Sequence, residues 1–85
     1  MTDARPDRVR RVVRVEGHVQ GVGYRVNARR QAERLGIEAS PVNLDDGSVR
    51  IDVAGSRKAV DAFVAWCHEG PRLADVSRVT VREVS

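Results

Sequence analysis

The sequence has a single cysteine, Cys67, so no internal disulfide can form, which fits a reducing, cytoplasmic setting. No stretch approaches the ~18 apolar residues of a membrane span, and residues 1–8 lack the apolar core of a signal peptide. No membrane partner is expected. His18, His68 and Cys67 are few and scattered, so no metal-ligand spacing is visible and neither a metal nor another cofactor is expected. Lysine is scarce as well: Lys58 stands alone among fifteen Lys+Arg, the rest being arginine. Internal repeats and low-complexity segments are not evident.

With 85 residues the chain makes one domain, whose core buries only about 60–65% of the unfolded surface. No second catalytic domain is expected, and a monomer is expected. Residues 1–7 read as a flexible polar tail and 8–85 as the domain. Fifteen basic against twelve acidic residues leave a net charge of +3. A mild positive field draws small anions and favours weak nucleic-acid association alike.

Along the chain, the hydrophobic period changes from element to element. Arg8 to Glu16 alternates, with Val9, Val13 and Val15 on one face and Arg8, Arg10, Arg14 and Glu16 on the other, while Arg11 and Val12 break the pattern; this is a half-buried strand. From Tyr24 to Leu35 the period becomes helical. Tyr24, Ala28, Ala32 and Leu35 share a stripe, Arg29, Arg30, Glu33 and Arg34 face away, and Gly36 stops the helix. Ala39–Leu44 and Ser48–Ala54 read as two strands joined by Asp45-Asp46-Gly47, a strong hairpin signal, with Val49, Ile51 and Val53 inward. Ser56 caps a second helix to about Glu69, with Val60, Phe63, Val64 and Cys67 buried and Gly70-Pro71 ending it. In that stripe Cys67 reads as a small core residue, not a nucleophile. A fourth strand runs from about Val76 to Val84, with Val79 and Val81 inward.

The order β-α-β-β-α-β predicts an α+β, ferredoxin-like sandwich: a four-stranded antiparallel sheet with both helices on one face. The second strand then lies at an edge. Pro41 fits that place, because proline removes a ladder donor.

The turn between the first strand and the first helix holds the sequence's chemistry. In Gly17-His18-Val19-Gln20-Gly21-Val22-Gly23-Tyr24-Arg25 three glycines can take positive φ, letting consecutive N–H groups converge on phosphate oxygens. The helix adds its positive end, and Arg25 in its first turn offers a planar fork of donors. Neither common nucleotide motif fits the spacing, so one phosphate is expected there, not a chain of them.

These residues resemble the acylphosphatases, small enzymes that hydrolyse the carboxyl-phosphate bond. The resemblance runs from the first strand to the fourth. Its most specific part is the family's G-x-V-Q-G-V-x-[FY]-R, met here by Gly17, Val19, Gln20, Gly21, Val22, Tyr24 and Arg25. Asn43-Leu44-Asp45-Asp46-Gly47-Ser48-Val49 is similar to the family's asparagine, Asp-Gly hairpin and valine strand. Gly70-Pro71 with Ala74 and Val76 resembles its exit from the second helix. Ala39, Ser40 and Pro41 depart from the glycine, aromatic residue and valine usual before that asparagine.

The resemblance implies that backbone N–H groups of Val19, Gln20, Gly21 and Val22 hold the phosphate, that Arg25 binds its oxygens, and that Asn43 orients the attacking water. An amide suits that last role, since it donates and accepts at once. The implied substrate is a small-molecule acyl phosphate, whose carboxylate leaves without a proton. The reaction therefore needs no paired carboxylates, Cys-His pair or metal, and the motifs supply none. His18 reads as a bystander and His68 as a favourable charge at a helix end. Two alternatives share the fold: a non-catalytic anion-binding relative and a nucleic-acid-binding module. Arg10, Arg14, Arg50, Arg78 and Arg82 lie on the helix-free sheet face. The outward positions of the first and third strands carry no ring to stack a base, so nucleic acid is not the expected partner.

Overall fold

Alternating valines build the central strand, β1 (Arg8–His18), two residues longer than the sequence pattern predicts. The structure, a computed structural model, describes residues 7–84, so most of the expected tail lies outside the described residues. Helix α1 (Tyr24–Leu35) follows the glycine turn, then strands β2 (Glu38–Asn43) and β3 (Val49–Ser56), helix α2 (Arg57–Glu69) and strand β4 (Asp75–Glu83). Strand order is β2-β3-β1-β4, every neighbouring pair antiparallel, so β2 lies at the edge as expected. Pro41 sits on it in register with Ile51, its ring buried on the core side.

Both helices bury the stripe that their periodicity marks. Tyr24, Ala28 and Ala32 of α1 and Val60, Phe63 and Cys67 of α2 close over Val9, Val13, Val15, Val49, Ile51 and Val53 of the sheet. Helix ends are set locally. Ser56 Oγ accepts from the Ala59 N–H at 3.2 Å, and past α1 the N–H groups of Gly36 and Ile37 return to Glu33 O and Ala32 O. The Tyr24 hydroxyl donates to the Cys67 carbonyl at 2.8 Å and its ring lies 5.3 Å from that of Trp66, pinning the start of α1 to α2.

Three expectations are corrected. Arg11 does not break the alternation of β1: it occupies a core-facing position between Val9 and Val13 and is only 9% exposed. The burial is tolerated because Nε and a terminal nitrogen donate to Glu83 and Asp61, each at 2.6 Å. Both carboxylates hold the guanidinium charged, Asp61 more strongly, raising its pKa against the opposing effect of burial. Val81, in register with Val13, is still 39% exposed because it lies on the outer strand β4. Gly17 belongs to β1, not to the loop beyond it. It marks the bulge where the β1–β4 register shifts, at φ 125°, and a Cβ there would come within 2.2 Å of the Asp75 carbonyl oxygen. Its conformation therefore serves the approach of β4.

Candidate active site

Val19 to Gly23 form the turn between β1 and α1. Gly21 (φ 77°) and Gly23 (φ 79°) both take the left-handed conformation. Gly23 is the N-cap of α1, with no side chain over the first-turn N–H groups and no acidic residue in that turn. The helix therefore presents an uncompensated positive end to the turn. Among the described residues no backbone N–H from Val19 to Gly23 makes a well-formed hydrogen bond to a backbone carbonyl. Gly23 O is held on the far side, accepting from the backbone N–H and the side-chain amide of Asn27 at 3.0 and 2.8 Å.

A concavity of about 130 Å³ opens at this turn. That is well below the ~300–1,000 Å³ of sites that enclose drug-sized ligands, and suits a phosphate with a short substituent. Val19, Gly21, Gly23, Tyr24 and Arg25 form one side, and Asn43 comes in from the end of β2. Asn43 pairs with the core residue Val49, so it stands on the helix side of the sheet, yet it is exposed because it ends the strand. Arg25 and Asn43, eighteen positions apart, thus meet at one surface. Val26 and Arg29 complete the wall. The placement of Arg29 corrects the expectation that it merely faces away: it points out of the core but onto the rim of the concavity. The i, i+4 spacing from Arg25 is the signal that could have found it.

Gln20 and Val22 are not on that wall. Val22 packs partly against the core, and the Gln20 side chain turns to the β2–β3 hairpin. Its Nε2 donates to Leu44 O at 2.8 Å and Ser48 O at 2.9 Å. Sequence reasoning gave Gln20 a backbone role only. The hairpin has its own brace, since Asp46 Oδ1 accepts from the Ser48 N–H at 3.0 Å and the Ser48 hydroxyl at 2.6 Å. Asp46 also pairs with Arg14. The Ser48 hydrogen bonds, aided by Arg14, lower the Asp46 pKa to about 2. His18 stays off the concavity wall. Cys67 is buried, and burial pushes its thiol up to about 12, so it is no nucleophile.

On the helix-free face, Arg14 pairs with Asp46 and Arg50 with Asp52, so part of the basic surface is locally compensated. No helix among the described residues is long and apolar enough to cross a membrane.

An antiparallel α+β sandwich with a glycine turn, a bare helix N-terminus and an arginine at one small concavity is an arrangement suited to an anion, and comparison with known proteins narrows the class. The acylphosphatase family profile matches residues 11–85. An acylphosphatase of Nocardioides sp. is 52% identical over 71 residues, covering 84% of this chain and 72% of the relative. One from Thermococcus kodakarensis is 44% identical over 75 residues, covering 88% and 82%. Among solved structures, an acylphosphatase from Coxiella burnetii superposes with a TM-score of 0.92 at 34% identity, covering all of this chain and 90% of that one. The chain belongs to the acylphosphatase family.

Proposed function

We propose that the chain hydrolyses the carboxyl-phosphate bond of small acyl phosphates, giving a carboxylate and inorganic phosphate without a metal. One observation carries the assignment of roles: Arg25 and Asn43, from separate elements, line the same concavity as the glycine turn. In this reading the N–H groups of Val19 and Gly21 on the concavity wall, those of Gln20 and Val22 beside them in the same turn, and the end of α1 hold the phosphoryl oxygens. The Arg25 fork neutralises charge on those oxygens in the transition state.

The Asn43 amide accepts a hydrogen bond from a water and donates one to it, aligning the water oxygen with phosphorus. As the new P–O bond forms, the bond to the acyl oxygen breaks and its electron pair leaves with the carboxylate. The water's proton passes to the phosphate product or to solvent. No general acid is required, since the leaving group is already a stable anion. Positioning and charge stabilisation supply the catalysis. A monomer in the reducing cytoplasm remains part of the proposal, supported by one buried, inert thiol.

The test is hydrolysis of acetyl phosphate by the purified chain in excess chelator, beside an alkyl phosphate ester. Fast turnover of the acyl phosphate alone is expected, with inorganic phosphate competing. Asn43→Ala should lower kcat strongly while phosphate affinity is kept. Equal rates on both substrates, or activity lost with the metal, would overturn the reading.

A further inference from the structure

The concavity holds a second guanidinium besides that of Arg25. Arg29 follows Arg25 by four residues, so the two guanidiniums are neighbours on one helix face, and both line the concavity. Like charges at that spacing repel. Among the described residues neither has a carboxylate partner, whereas Arg8, Arg14 and Arg50 each have one and Arg11 has two. No acidic residue in the first turn of α1 offsets them. In the proposed function the turn's N–H groups, the helix end and Arg25 are assigned to the phosphoryl oxygens, which leaves Arg29 without a role there. Arg29 stands one helical turn, about 6 Å, farther along the axis. Val26, 51% exposed, lines the same concavity and supplies an apolar surface beside it.

We propose that Arg29 binds a second anionic group on the substrate, so that the chain prefers acyl phosphates whose acyl part ends in a carboxylate. The proposal rests on the reading that an acyl phosphate occupies the 19–25 turn. In it the methylenes of a short acyl chain lie along Val26 and the terminal carboxylate meets the Arg29 fork. Arg29 is a specificity residue here and takes no part in breaking the P–O bond.

Butanoyl phosphate and the monophosphate of succinic acid have the same chain length and differ only at the terminal group, which makes them a matched pair. The unmodified chain should favour the succinic compound in kcat/KM. In Arg29→Gln that preference should fall about fivefold, the scale of one solvent-open ion pair, through KM more than kcat. Arg29→Lys should restore part of it, and added salt should shrink the difference between the parent chain and Arg29→Gln. An unaltered ratio in Arg29→Gln overturns the inference, and so does an equal loss on both substrates, which would place Arg29 at the phosphate itself. Should the unmodified chain hydrolyse neither compound, the fault lies in the acyl-phosphate reading; good turnover of both without preference sinks only the role of Arg29.

Discussion

The Gln20 side-chain amide donates to the main-chain carbonyl of Leu44 at 2.8 Å, joining the glycine turn to the residue that follows Asn43. The same nitrogen reaches Ser48 O at 2.9 Å, so one side chain spans both ends of the hairpin. Removing it frees the two halves of the proposed site from each other. Gln20→Ala loses two hydrogen bonds, each worth roughly 0.5–1.5 kcal/mol net, so stability in urea should fall by about 1–3 kcal/mol. Activity should fall by about 10- to 100-fold, mainly in kcat, because small misplacements of a positioning group are costly. Gln20→Glu, which puts a carboxylate against two carbonyls, should be at least as damaging. Full activity in a destabilised Gln20→Ala would show that the brace serves the fold alone.

Arg25→Lys keeps the charge and changes its shape. If the fork holds phosphoryl oxygens, the rate should drop by about 10²–10³, the scale for losing an oriented electrostatic donor. Thermal unfolding should hardly move, since Arg25 is exposed and lysine is a good helix former. Arg30→Lys, on the same helix but off the concavity wall, is the control and should be silent. Retention of most activity by a folded Arg25→Lys chain would remove Arg25 from the centre of the mechanism.

Local pattern made most of the fold legible. The Tyr24–Leu35 stripe, the Gly36 and Ser56 caps and the Asp46-Gly47 turn each act over a few residues, and each lies where the sequence places it. Features that join distant segments were hidden. Arg11 looked like an error in an alternating strand because its partners, Asp61 and Glu83, are 50 and 72 positions away. Gly17 read as part of the ligand loop because nothing local announces the Asp75 backbone pressed against it. The Gln20 brace depends on carbonyls, which have no sequence identity at all. Arg29 escapes a two-way division into buried and solvent faces, which has no category for the rim of a concavity.

The hairpin should be acid-sensitive, with a definite sign. The folded-state pKa of Asp46 is depressed to about 2 by Ser48 and Arg14, below its unfolded value of ~3.9. Its stabilising effect is therefore fully present above about pH 4 and is lost as pH falls toward 2. Asp46→Asn keeps an oxygen to accept from Ser48 but carries no charge for Arg14. Between pH 5 and about 2.5 the denaturation midpoint of the parent chain should drop more than that of the variant. Equal drops would mean that Asp46 does not report on hairpin stability.

Arg11 offers the clearest separation of charge from packing. Its side chain lies on the core face of β1 while both carboxylates remain more than half exposed, at 58% for Asp61 and 62% for Glu83. Freed of Arg11, those carboxylates can be rehydrated, so the loss falls mainly on the buried arginine stem and the space it fills. Arg11→Ala should then cost about 1–3 kcal/mol in urea unfolding, in the range of other truncations that leave a gap. Arg11→Met restores the length without the charge and should lie within about 1 kcal/mol of the parent, as apolar replacements of buried ion pairs often do. Asp61→Ala and Glu83→Ala each take one acceptor from the buried guanidinium and should cost about 1–3 kcal/mol, the scale for a buried donor left unpaired. If Arg11→Met proves as damaging as Arg11→Ala, the ion triad holds α2 and β4 to β1 by charge, and the packing account of Arg11 is wrong.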